Sequence, residues 1–449
     1  MAHTVFVAVS SKLAGEPKKT GRIHPMLGGL TLPERIAYEL AKQNHPSVHL
    51  LNTADTAEIL SRKPGPQIEM TCHPKDSPVG ALADSGASGE PDDSTVVVIR
   101  GDRIYGSEIL AQALATKVDS DQAVIEIVDP GSKNRVGITI AKAATIRSLL
   151  DNISPEDKKD KGDKEENALL QQTALVEKAR EKGILVQKEF CDSFWHPVEE
   201  KRDFKPALNA LFKSLGKSID GWVAKHFNRP VSQAVSKRIA NLPLSPNLIS
   251  AVVFIFGLSS AALTITAEWL WIAIGAVVFH FASVFDGIDG EIARVKYQST
   301  KFGALLDSIL DHIVLMFWVL AVSYVIHWRG GHVFYLISGW VVFWFTAVGT
   351  AVVNYNQITK TKGGQPMELK WDFEKEENKK KLSARFVNSV KFLVGRDVDC
   401  VVLGMFAIFN TLRPIVIISV TVATVYFVVV ITHQAKKILQ KHQSQPSMG

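Results

Sequence analysis

The stretch from Phe285 to His312, FDGIDGEIARVKYQSTKFGALLDSILDH, gathers the residues best suited to do chemistry. It holds four carboxylates, Asp286, Asp289, Asp307 and Asp311. The first pair is spaced i, i+3 and the second i, i+4, so each pair shares one face of a helix. The segment between them is long enough to fold one helix end back beside the next. All four side chains would then converge. Packed in a low-dielectric region, four uncompensated carboxylates repel one another and must be neutralised. Divalent cations do this, and clustered hard oxygen ligands suit Mg²⁺ or Mn²⁺ rather than a soft metal. Two such ions bridge a diphosphate, offset its charge and polarise the phosphorus under attack. Gly290 and Gly303 leave room for a substrate close to the backbone. Arg294 offers a planar cation suited to phosphate. Acids in an apolar stretch also serve ion-pair patches and ion carriers, which is the competing reading.

These residues sit in a chain of 449, with 46% hydrophobic and 21% charged residues and a net charge of +6. Most Lys, Asp and Glu precede about residue 240, and the long uncharged runs follow it. That split excludes a single soluble globule, a disordered chain and a collagen-like fibre. The positive charge fits nucleic acid or an anionic membrane surface. Basic residues cluster beside the apolar runs, so the reading is a membrane and no nucleic acid. Cys72, Cys191 and Cys400 lack metal-ligand spacing and exclude a disulfide framework.

Six segments read as membrane spans: Leu248–Thr266, Trp269–Phe285, Phe302–Val325, Val333–Val353, the shorter Val398–Leu412, and Ile415–Thr432. About 18–20 apolar residues cross a bilayer core as helix. Arg294, Lys296 and Lys301 follow span 2, ten Lys and Arg from Lys360 to Arg396 follow span 4, and Lys436, Lys437 and Lys441 follow span 6. Arg329 and Arg413 stand alone on the other side. The positive-inside rule places both termini and the two long loops in the cytoplasm of an inner-membrane protein. Met1–Ser10 has no signal-peptide pattern, which agrees.

Residues 1–152 read as a cytoplasmic α/β domain. Strands are expected at Thr4–Val9, Ser47–Leu51, Val96–Ile99, Ala123–Val128 and Val136–Ile140, with helices at Leu32–Gln43 and Ile109–Ala115. Alternating strands and helices predict a mostly parallel sheet. Cys72–Ser94 reads as a loop, and Cys72-His73 as an isolated pair within it. A charged linker and a helix fill 153–203, with the charge concentrated in Ser154–Asn167. Residues 204–245 read as amphipathic helices beside the membrane. Leu208, Leu211, Phe212 and Leu215 share one face with lysines around it, which fits either a membrane surface or a helix packed on the soluble domain. The six-helix domain fills 246–434, and 435–449 is a tail. His280 reads as a helix-packing residue, and the sequon at Asn152 is irrelevant on the cytoplasmic side.

The aspartate spacing resembles the CDP-alcohol phosphotransferase (CDP-alcohol phosphatidyltransferase) family, whose signature is D-x2-D-G-x2-A-R-x8-G-x3-D-x3-D. Asp286, Asp289-Gly290, Ala293-Arg294, Gly303, Asp307 and Asp311 fill all eight fixed positions. The resemblance covers about Lys217 to Gln434, including Asn228-Arg229-Pro230 and Ser245-Pro246-Asn247. It implies six transmembrane helices in a homodimer. It makes Asp286, Asp289 and Asp307 metal ligands, and Asp311 a ligand or general base. Asp289, Gly290, Ala293, Arg294 and Gly303 would line the CDP site. The implied reaction moves a phosphoalcohol group from CDP-diacylglycerol or another CDP-alcohol to a hydroxyl acceptor, releasing CMP. His312 departs from the Arg common at its position.

Arg385, Lys391 and Arg396, with a helix start at Arg396-Asp397, suit a phosphorylated alcohol such as inositol phosphate, as in the inositol-phosphate-accepting branch. A lipid-facing basic patch is the alternative. Gly28-Gly29-Leu30-Thr31-Leu32-Pro33-Glu34-Arg35 and Arg100-Gly101-Asp102 resemble sugar-phosphate nucleotidyltransferases. The layout is similar to fusions of an inositol-1-phosphate cytidylyltransferase with such a membrane domain. A G-x-G-x-R element is missing after the first strand, where Val9 to Lys18 reads VSSKLAGEPK. The expected domain is therefore degenerate or regulatory. A domain that still makes the CDP-alcohol and a membrane-anchored nucleotide-binding regulator are the alternatives.

Overall fold

The computed structural model describes residues 3–8, 26–45, 47–51, 68–73, 94–118, 123–150, 167–190, 194–215, 224–360 and 396–443. They fall into two units. The first takes in Met1–Leu215 with Ala240–Pro243 and Val295–Tyr297. The second takes in Gly216–Ile239, Leu244–Arg294 and Gln298–Gly449.

In the first unit the main strands are β1 (His3–Ala8), β2 (Ser47–Leu51), β3 (Glu69–His73), β4 (Thr95–Arg100), β6 (Val124–Val128), β7 (Arg135–Lys142) and β8 (Leu185–Glu189). They form one sheet in the order β3-β2-β1-β4-β7-β6-β8. β5 (Arg103–Tyr105) and β9 (Trp195–Pro197) pair separately. That pairing is antiparallel; within the seven-stranded sheet β7 runs antiparallel to β4 and β6, and the remaining pairings are parallel. The sheet is thus mostly parallel, as expected, and β7 makes it mixed by running against the other six strands. The cause is local. Asp129 accepts from the Ser132 amide at 2.8 Å and bonds Asn134 through its own amide at 2.9 Å, closing a turn too short for a parallel crossover. Cys72 and His73 end β3 and are not in a loop.

Along β1, Val5 and Val7 enter one core and Phe6 and Ala8 the other. Both sheet faces are buried, which explains the uninterrupted apolar strands. α1 (Leu32–Lys42) and α2 (Ser107–Ala115) cover one face through Ile36, Leu40, Ile109 and Leu110. α3 (Ala143–Leu150) and α4 (Asn167–Glu181) cover the other through Ile146, Leu149 and Leu175. α5 (Phe204–Ser214) buries Ala207, Leu211 and Phe212 and leaves Lys205 and Lys213 exposed, as expected of a helix packed within this unit. The charged stretch 151–166 lies outside the described residues.

In the second unit, α6 (Arg229–Ile239) precedes α7 (Pro246–Thr264), α8 (Trp269–Val295), α9 (Lys301–Trp328), α10 (Val333–Lys360), α11 (Arg396–Ile408) and α12 (Leu412–Gln443). Ser245 caps α7, with Pro246 at its first position, and Thr300 caps α9. Among the described residues five helices are long and apolar enough to cross a membrane, namely α7, α8, α9, α10 and α12. α11 has 13 residues. At about 1.5 Å per residue it falls short of a core of roughly 30 Å, so the expected sixth span is not confirmed.

Inside the bundle Phe279 stacks on Trp318 at 4.3 Å. A Cβ at Gly257 would stand 3.0 Å from Val314 and 3.2 Å from Ala282. This glycine lets α7 close on α8 and α9, as small residues do between membrane helices. Ile255, Trp344 and Phe409 are exposed, as a hydrocarbon-facing surface requires.

Candidate active site

α8 brings Asp286 and Asp289 to its C-terminal end, and α9 carries Asp307 and Asp311 in its first turns. The chain reverses between them through Tyr297, which takes a left-handed φ of 53°. α9 then starts where the Gly303 amide donates to Thr300 Oγ1 at 2.9 Å. The reversal brings Asp286 of the first pair to Asp307 and Asp311 of the second.

Carboxylate oxygens of Asp286, Asp307 and Asp311 lie within 4.8 Å of one another. Three hard oxygen donors at this spacing fit a divalent cation. Asp289 lines the same cavity but is not in that trio. It is 7% exposed and accepts from the Ser250 hydroxyl of α7. Bonds to a charged acceptor are worth about 1.5–3 kcal/mol, so Ser250 fixes the Asp289 carboxylate. Ser250 is a site residue that the sequence reading did not assign. Its one signal is its place one turn into α7, just after Ser245-Pro246-Asn247.

The cavity has a volume of about 310 Å³. The four aspartates contribute to one part of its lining, and Phe254, Leu315, Val342 and Val422 supply apolar wall. Ser419 lies in that wall, 9% exposed, with no partner for its hydroxyl among the described residues. His312 also lines the cavity, and its Nδ1 donates to the Ser308 carbonyl at 2.6 Å.

Gly290 and Gly303 stand at close approaches. A Cβ at Gly290 would be 3.4 Å from Arg294 Nη1, and one at Gly303 would be 3.1 Å from Thr300 Oγ1 and 3.6 Å from Asn247 Oδ1. The Ala293 carbonyl accepts from the Gln298 amide at 2.8 Å, closing the helix end. Arg396 is the first residue of α11. Arg385 and Lys391 lie outside the described residues, as do 9–25 and Cys191.

In the first unit, Asp102 is 2% exposed and gripped by Arg100, with Nη2 to Oδ2 at 2.6 Å and Nε to Oδ1 at 3.1 Å. Arg103 Nε adds a contact at 3.6 Å. The Arg100 stem crosses Gly137, which has a φ of +85° and whose Cβ would fall 2.8 Å from Arg100 Cδ. Asp102 is therefore an internal ion-pair residue. Burial pushes the Tyr105 hydroxyl pKa up, and this neutral group donates toward the Arg100 and Val136 carbonyls at 3.1 and 3.2 Å. The Gly28 to Arg35 motif resolves into a capped helix start. Thr31 and Glu34 form a reciprocal capping box, and Arg35 turns inward onto the Leu27 carbonyl at 2.9 Å.

Residues 243–375 match the CDP-alcohol phosphatidyltransferase family. A protein from Aquifex aeolicus named bifunctional IPC transferase and DIPP synthase is 32% identical over 151 residues, 33% of this chain and 34% of that one. Its namesake from Archaeoglobus fulgidus is 28% identical over 244 residues, 51% of this chain and 47% of that one. A phosphatidylinositol phosphate synthase from Corynebacterium glutamicum is 33% identical over 105 residues, 21% of this chain and 45% of that one. The chain thus spans between a third and a half of the length of these curated relatives. Its apolar helices, set beside a family of membrane enzymes, mark an integral membrane protein.

Proposed function

Residues 243–375 are a CDP-alcohol phosphatidyltransferase domain, and on that premise we propose that the protein is a membrane transferase of phospholipid synthesis. It moves a phosphoalcohol group from a CDP-linked donor to a hydroxyl acceptor and releases CMP. The observation that carries this is the meeting of Asp286, Asp307 and Asp311 within 4.8 Å, at a cavity that Asp289 also lines.

Asp286, Asp289, Asp307 and Asp311 would hold Mg²⁺ or Mn²⁺, two ions in our reading. Such ions, when bound, offset the diphosphate charge and polarise the phosphorus. Ser250 orients the Asp289 carboxylate. Arg294, together with Gly290 and Ala293, pairs with phosphate oxygen of the CDP group, and Gly303 leaves room for it. Asp311 takes the proton of the acceptor hydroxyl. The acceptor oxygen forms a new bond to the β-phosphorus, the bond from that phosphorus to CMP breaks, and CMP leaves with the electron pair. Orientation and fixed charge supply most of the acceleration.

The apolar wall beside the aspartates favours a lipid-linked donor, CDP-diacylglycerol, over a soluble CDP-alcohol. The names of the relatives and the basic residues Arg385, Lys391 and Arg396 favour inositol phosphate as acceptor. We place both termini in the cytoplasm of an inner membrane and, from the resemblance, expect a homodimer among membrane lipids. The domain in residues 1–152 we read as non-catalytic, because Arg100 already occupies both oxygens of Asp102.

The test is CMP release from the purified chain with a panel of donors and acceptors, with EDTA and after adding Mg²⁺ or Mn²⁺. The expected result is metal-dependent CMP formation, strongest with CDP-diacylglycerol and inositol phosphate. Ion flux in vesicles without CMP formation would reverse the reading in favour of a carrier. Pyrophosphate release from CTP and inositol phosphate would restore a catalytic role to the first unit.

A further inference from the structure

We infer that Glu291 is a positioning residue that fastens α6 to the back of the α8 turn carrying Asp286 and Asp289, and so sets the geometry of the metal-binding carboxylates. The inference rests on the metal-dependent transfer proposed above.

At about 100° per residue, Glu291 lies roughly 140° from Asp286 and roughly 160° from Asp289 around the α8 axis. It therefore belongs to the opposite side of the helix from the carboxylates that line the cavity. It is 1% exposed, and its two oxygens take three hydrogen bonds. Arg229 Nη1 donates to Oε1 at 3.0 Å, Ser232 Oγ to Oε1 at 2.8 Å and Ser236 Oγ to Oε2 at 2.7 Å. The three donors recur at i, i+3 and i+7 along α6, which is one stripe of that helix. Gly287, one turn earlier on the same side of α8, completes the seat. A Cβ there would stand 3.4 Å from Arg229 Nη1 and 3.5 Å from Ser232 Oγ.

Burying a carboxylate is costly unless its oxygens are met, so this network has two states, fully made or expensive. It holds a helix turn rather than merely filling space. Functional constellations tolerate only about 0.5 Å and 10–20° of misplacement. A rotation of α8 about its axis carries Asp286 and Asp289 together away from Asp307 and Asp311. Glu291, gripped from α6, resists that rotation. The signature spacing of the aspartates does not include Glu291, because that position is unconstrained there.

The experiment uses the purified full chain and two variants, Glu291→Gln and the pair Ser232→Ala with Ser236→Ala. The pair variant keeps the Arg229–Glu291 ion pair and so protects the fold. Free Mn²⁺ is counted by electron paramagnetic resonance to give binding affinity, melting is followed in parallel, and CMP release gives kcat and the donor KM. We expect about tenfold weaker Mn²⁺ binding in the pair variant, on the scale of lost outer contacts to a metal site. kcat should fall with it and the donor KM should stay within about twofold. Folded variants that bind Mn²⁺ as the parent does overturn the inference. Loss of folded protein in both variants also overturns it, since the network is then only structural. A parent that binds Mn²⁺ without releasing CMP, or binds none, instead sinks the proposed function.

Discussion

The Ser250 hydroxyl of α7 donates to the Asp289 carboxylate of α8, so the carboxylate outside the close trio is fixed from a neighbouring helix. Asp286, Asp307 and Asp311 already converge, and Ser250 holds Asp289 at 7% exposure in the wall of the same cavity. Removing the carboxylate charge and removing only its tether should therefore have different effects.

Asp289→Asn should lower CMP release by at least about a hundredfold, the upper end of what even indirect metal contacts cost. Steady-state assay at saturating Mg²⁺ measures it. Substantial residual turnover would count against Asp289 as a ligand.

Ser250→Ala should cost less, about tenfold, and should raise the Mg²⁺ concentration needed for half-maximal rate. A fall in rate with an unchanged Mg²⁺ requirement would separate Ser250 from the metal site.

The apolar wall makes a prediction about the donor. Ala423 is 5% exposed and lines the cavity, so Ala423→Phe fills space there. Overpacking costs about 1–3 kcal/mol, which a helical bundle of this size should absorb. kcat/KM should fall for donors with long acyl chains and hold for short-chain analogues. Equal loss across chain lengths would place the lipid elsewhere.

Asp102→Asn tests the first unit. It leaves Arg100 and Arg103 facing a neutral partner in a site where Asp102 is 2% exposed. Breaking a buried pair costs about 3–5 kcal/mol, and the partial exposure of Arg100 should reduce this to about 2–3 kcal/mol. Denaturant unfolding of the full chain should show a transition weakened by that amount, with CMP release retained. An unchanged transition would contradict the ion-pair role.

Much of this was legible from periodicity alone. β1 and β4 were readable because both sheet faces are buried, which leaves no polar interruption in TVFVA or TVVVI. The meeting of Asp286 with Asp307 and Asp311 followed from i, i+3 and i, i+4 spacing on either side of a reversal. The mostly parallel sheet followed from the alternation of strands and helices, but the direction of β7 did not. Alternation says that β7 is a strand, but the tight Asp129–Asn134 turn decides that it runs backwards. β3 was hidden because its short run, EMTCH, abuts a Gly- and Ser-rich stretch. α11 looked like a span from composition, and its 13 described residues are too few to confirm one. Ser250 and Glu291 were not legible as site residues, since their roles depend on partners 39 and 55 to 62 positions away.

Direct localisation of Mn²⁺ tests the central claim most sharply. Anomalous diffraction from crystals grown with Mn²⁺ and a CDP-linked donor should give density between the carboxylates of Asp286, Asp307 and Asp311, with Asp289 turned to the same site. Anomalous density only elsewhere, in crystals of protein that makes CMP, would contradict the account.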